Sequence, residues 1–158
     1  MTFERGRLVS YLTDDAAGLA ARVQMLVDFR EWTGRFDYVY LYLAAVADRR
    51  LEVGPTLDAI VQYVSERGLN LVTAQARRAR GVEKRDRADL AAALEAFEQM
   101  GAKPWVARVQ TELGMLTGNQ ELVDLGLDGL ESLGDVEHAA RVAMERRAGL
   151  PSAAPAGG

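Results

Sequence analysis

Cysteine is missing from this sequence of 158 residues, which excludes disulfides, thiolate nucleophiles and every metal site that needs cysteine. Histidine occurs once, as His138, and a metal site built without cysteine normally needs more than one. Lysine occurs only at Lys84 and Lys103, so arginine carries almost all of the positive charge. No apolar run reaches the roughly eighteen residues of a membrane-spanning helix. The opening "MTFERGRLVSYL" scatters charges among its apolar residues and lacks the continuous core of a signal peptide. Neither Sec-type secretion nor a membrane partner is expected, and a cytoplasmic location fits. The formal charge of -4 argues against a whole-molecule footprint for nucleic acid or anionic lipid. No cofactor is expected.

What the sequence does have is helix-forming composition: 49% apolar and 27% charged residues, rich in Ala, Leu, Glu and Arg, with apolar residues recurring at intervals of three and four. It also repeats. "LEAFEQMGAKPWVARV" at 94–109 returns as "LDGLESLGDVEHAARV" at 127–142, a displacement of 33 residues. Gly34, Gly68, Gly101 and Gly134 mark the stride, with spacings of 34, 33 and 33. Eleven residues before each glycine stand Val23, Leu57, Leu90 and Val123; seven before stand Val27, Val61, Leu94 and Leu127; four before stand Arg30, Val64, Phe97 and Leu130. Those offsets form one helical stripe, which Arg30 alone interrupts and neighbouring Phe29 can restore. Six residues after the glycines come Tyr40, Ala74, Ala107 and Ala140, small in the last three copies, where close approach of the following helix is expected.

Each glycine suits the left-handed residue that ends a helix. Restart signals follow: Asn70 and Asp135 as side-chain caps, Pro104 in a first turn. A second set of breaks, "RRLEVGPT" at 49–56, "GVEKRD" at 81–86 and "LTGNQ" at 116–120, leads to helices announced by Pro55, Asp86 and Asn119. The expected helices lie near 4–12, 15–33, 36–48, 55–67, 70–80, 86–100, 104–117, 120–133 and 135–147. Residues 149–158, within "GLPSAAPAGG", have nothing large to bury and are expected to form a disordered tail to a domain spanning 1–148.

A hairpin of two such helices cannot bury its apolar stripe alone, but stacked copies cover one another. The period is close to that of the tetratricopeptide repeat, and "ARRARGVEKRDRADLAAALEAFEQMGAKPWVARVQTELG" at 76–114 resembles the helical repeats of LuxR-family and MalT-like signalling ATPases and of cyclase-linked bacterial regulators. The resemblance implies an all-α fold, a right-handed superhelical array of about four helix-turn-helix hairpins, and a regulatory module that binds partners. The phosphate loop GxxxxGK, followed by Ser or Thr, that such ATPases use is absent from the sequence, as is a helix-turn-helix recognition segment.

The conspicuous residues read mostly as packing. His138 stands where Tyr38, Val72 and Trp105 stand in the other copies, so a core role is expected and a metal role is not. Asp14 with Asp15, and Glu95 with Glu98, fit helix starts and solvated faces better than an acid and base pair. Gly126 and Gly129 in "GLDGLESLG" fall inside a helical pattern, so close packing is expected and not phosphate binding. The aromatic stretch "FDYVYLY" at 36–42 reads as core, with Tyr40 directed to a groove or partner. The run "RRARGVEKRDR" at 77–87, with six basic residues against two acidic ones, reads as a solvated helix end before it reads as a contact for an acidic partner. It lacks interleaved aromatics for nucleic acid.

In tetratricopeptide geometry the helices after each glycine line the concave face. Seven residues beyond the glycines stand Leu41, Gln75, Arg108 and Arg141, with Arg78 close by. Arginines there suit carboxylates, so Tyr40, Gln75, Arg78, Arg108 and Arg141 are the candidate partner-binding residues and an acidic protein or peptide is the candidate ligand. The expected role is non-catalytic protein interaction or regulation. Self-association through the array's ends and small-ligand sensing are the alternatives.

Overall fold

A computed structural model of the chain describes residues 36–149 and the side chains of 39–149. The expected helices near 4–12 and 15–33, the Gly34 joint and residues 150–158 of the tail lie outside the described residues. Those described form seven helices and no strand: α1 (Phe36–Asp48), α2 (Pro55–Glu66), α3 (Asn70–Lys84), α4 (Arg87–Gln99), α5 (Lys103–Thr117), α6 (Gln120–Ser132) and α7 (Val136–Gly149). The fold is all-α. The chain divides into two compact units, the first ending at Phe97 and the second beginning at Glu98.

The glycine joints repeat in hydrogen bonding as well as in sequence. Gly68, Gly101 and Gly134 have φ of 66°, 67° and 78°, in the left-handed region where a Cβ would be strained. In each the glycine N–H donates to the carbonyl three residues back, Ser65, Glu98 and Glu131, at 3.1, 3.1 and 3.0 Å. The intervening joints match one another too. The N–H groups of Asp86 and Asn119, 33 residues apart, donate to the carbonyls of Gly81 and Gly114, both at 2.9 Å. Their side chains then cap the next helix, Asp86 accepting from the Ala88 N–H at 2.8 Å and Asn119 from the Leu122 N–H at 3.1 Å.

Two expectations about helix ends are corrected. The break placed at Gly81 falls later: α3 runs on to Lys84 and turns at Arg85, a non-glycine residue with φ 53°. Gly81 stays helical because the next helix lies directly on it, a Cβ there falling 2.8 Å from Leu90 Cγ. Asn70 does not cap α3; it is the first helical residue, preceded by Leu69, which makes no side-chain cap bond. Asp135 does cap, accepting from the backbone N–H of His138.

In the first unit α3 packs on both α1 and α2. The α2 stripe Leu57, Val61 and Val64 is buried as the spacing requires, in one apolar cluster with Tyr42, Leu43 and Val46 of α1 and Ala76 of α3. The α1–α2 loop is tied to α3 by Glu83, whose carboxylate accepts from the backbone N–H groups of Val53 and Gly54 at 3.0 and 2.7 Å.

In the second unit α6 lies on α5 at backbone distance. A Cβ on Gly126 would fall 2.6 Å from Thr111 Cγ2 and 2.7 Å from the Ala107 carbonyl oxygen; one on Gly129 would fall 3.0 Å from Ala107 Cβ. The internal glycines therefore serve close packing, as expected. Ala74 and Ala107 are buried at the small-residue position and Tyr40 is half-buried, but Ala140 is exposed, because no described helix covers that side of α7.

Gly126→Ala sets two effects against each other. Helix propensity favours alanine by about 1 kcal/mol, whereas overpacking against backbone that cannot yield costs about 1–3 kcal/mol. The clash is expected to win, lowering the urea midpoint. A variant more stable than the parent contradicts the contact.

Candidate functional site

The expected groove row does not stay together on an open surface. Gln75 and Arg78 are fully buried on α3, which packs on both α1 and α2. Arg78 donates to Asp48 at the end of α1, and such a charge is kept inside only when paired. Neither polar atom of the Gln75 amide has a hydrogen-bond partner among the described residues. Tyr40 is half-buried against the first unit's core, while Leu41 beside it is exposed.

The basic run is largely consumed by acids of its own unit. Arg80 grips Asp89 through two bonds of 2.6 and 2.9 Å and reaches Asp58 at 3.2 Å, and Lys84 donates to both Asp58 oxygens at 2.7 and 2.8 Å. The Lys84 hydrogen bond, the largest influence, outweighs desolvation and with Arg80 holds the Asp58 carboxyl below its usual range. Asp89 does most to raise the Arg80 guanidinium above its ordinary value. Arg85 and Arg87 remain exposed.

An ion pair that the sequence reading missed recurs along the chain. Asp58–Arg80 links α2 to α3, and Asp124–Arg146 links α6 to α7 at 2.6 Å. Both members of the second pair stand 66 residues beyond the first, two strides of 33. The signal was present as an Asp and an Arg 22 residues apart in two copies, across a glycine joint.

Two of the five candidates, Arg108 and Arg141, do come together. On the second unit Arg108 lies over the Trp105 ring, 4.9 Å from its centroid, and donates to Asp135 at 2.7 Å. Asp135 caps α7 at the backbone N–H of His138, and the His138 Nδ1 meets Arg141 at 2.7 Å. Trp105, Arg108, Asp135, His138 and Arg141 thus form one continuous ridge of linked side chains with Arg141 exposed at its end. His138 itself is mostly buried, as its place in the repeat implied. Burial opposes the Asp135 charge most strongly, but the Arg108 hydrogen bond, the Arg108 charge and His138 together exceed it and lower the carboxyl below its usual range.

The ridge can present the exposed Arg141 guanidinium to a carboxylate, a recognition chemistry that needs no bond making. Among the described residues no three His, Asp or Glu side chains are grouped to hold a metal ion, and no helix is long and apolar enough to cross a membrane. Comparison with protein-family models, with curated proteins and with solved structures finds no match.

Asp135 separates capping from charge. Asp135→Ala removes both and is expected to cost about 1 kcal/mol, whereas Asp135→Asn keeps a capping oxygen and loses only the ion pair, worth less than about 1 kcal/mol when partly exposed. Because the folded carboxyl titrates lower than the unfolded one, its contribution is complete above the unfolded value and disappears as pH falls through the folded value. The stability gap between parent and Asp135→Asn, measured by urea unfolding, should close on acidification. A gap that widens contradicts the assignment.

Proposed function

We propose that this chain is a tetratricopeptide-like helical-repeat module, its hairpins stacked in a right-handed superhelical array, that acts without catalysis by binding a protein or peptide partner of acidic character. The observation that carries this reading is the recurrence of one inter-helix ion pair, Asp58–Arg80 and Asp124–Arg146, in register with joints of the same hydrogen bonding. A repeated tie between two helices of a hairpin supports a repeated hairpin, and repeated hairpins are a scaffold for extended binding surfaces. The packing of α1 on α3, helices on either side of α2 in the chain, is also what stacked hairpins require. The resemblance to repeats of bacterial signalling ATPases and cyclase-linked regulators supports a regulatory role in the cytoplasm.

The binding surface proposed is the ridge from Trp105 to Arg141 in place of the row drawn from sequence. Its exposed guanidinium, at Arg141, suits an Asp- and Glu-rich segment or a terminal carboxylate.

An Asp/Glu-rich peptide with a free C-terminal carboxylate, titrated at low and high salt, tests this reading. Shifts of the Trp105 indole and His138 imidazole resonances are expected, weaker at high salt, and lost in Arg141→Glu with the thermal midpoint unchanged. Absence of shifts, or shifts that Arg141→Glu leaves intact, contradicts the proposed surface.

A further inference from the structure

The outer face of α7 corresponds residue by residue to a face that is covered elsewhere in the same unit. On α5, Ala107, Thr111 and Gly114 are buried beneath α6. Their counterparts one stride on, Ala140, Met144 and Arg147, are all exposed, Met144 by 64%. Val136 on the same stripe is 66% exposed and Leu133, just before the joint, 45%. The stripe that receives a helix in the preceding copy is thus open in this one.

Arg147 decides which helix can cover it. At the corresponding Gly81 and Gly114, a Cβ would meet the following helix at 2.8 Å, at Leu90 in one case and Val123 in the other. With arginine at that place, a hairpin following along the chain cannot seat on α7 as α6 seats on α5. The visiting helix must cross nearer Ala140, where the side chain is small.

The stripe is complementary to itself. Val136, Ala140 and Met144 are spaced by four, so an antiparallel pairing about a twofold axis at Ala140 sets Val136 against Met144 of a second copy. Charge fixes the same direction. Glu137 lies at the start of α7 and Arg147 at its end, both exposed and neither held in an ion pair among the described residues. With the axis at Ala140, antiparallel helices set Glu137 about one helical turn from the second copy's Arg147, within reach of that long side chain; parallel helices would oppose like charges.

We propose that a second copy of this chain lays its α7 antiparallel across Ala140 to form a twofold dimer. This rests on the correspondence between α5 and α7 and not on the proposed ridge, so either can fail alone. Sedimentation velocity from micromolar to millimolar concentration is expected to show the mass rising from one chain to two. Ala140→Glu, at an exposed position, should abolish the rise while keeping the parent's thermal midpoint. Glu137→Arg and Arg147→Glu should each weaken association several-fold, and the double reversal should restore it. A monomer at every concentration, a dimer that Ala140→Glu leaves intact, or a double reversal no better than the single ones would overturn the proposal.

Discussion

Among the described residues α3 meets α4, and α5 meets α6, where one helix of the pair lacks a Cβ, and that contact sets how closely the second can follow the first. Gly81 lies against Leu90, Gly114 against Val123 and Gly126 against Thr111 and the Ala107 carbonyl, all at distances a methyl group could not occupy. Backbone that close gains dispersion contacts along a short length of helix. It also leaves no freedom for the helix to rotate, because the bare strip must face the neighbour. Packing of this kind tolerates glycines in a helix interior at a propensity cost of about 1 kcal/mol each.

Once the contact is fixed, the joints and ion pairs follow in step. The left-handed residues at Gly68, Gly101 and Gly134 end helices with the same hydrogen bond, and Asp86 and Asn119 cap the next ones. Asp58–Arg80 and Asp124–Arg146 then tie α2 to α3 and α6 to α7 at matching places. Exposed pairs of this sort contribute little energy individually. Their value lies in orientation, since each favours one rotation of a helix over others that bury similar apolar area.

The helices were legible because their determinants are local. Apolar spacing, left-handed glycines and caps act within a few residues, and Leu57, Val61, Val64, Leu90 and Phe97 are buried where period alone placed them. Gly81 misled because glycine has two uses, ending a helix and admitting a neighbour, and only the position of Leu90 tells them apart. The site was less legible. Gln75, Arg108 and Arg141 hold one register position, yet the first is buried, Asp135 engages the second and the third is exposed. A residue's place in a repeat tells which way it leans from its helix; what lies opposite depends on the neighbouring copy. The acid partners of the basic run were hidden for the same reason, standing nine to thirty residues away with no local mark.

The central claim is that bare positions one stride apart perform the same packing task. Unfolding free energies of Gly81→Ala and Gly114→Ala, measured side by side by urea denaturation, test it most directly. Equivalent tasks predict that both variants lose stability, by about 1 kcal/mol or more, against the gain that helix propensity alone would give. A gain in stability for either variant, or a loss confined to one of them, would contradict the account.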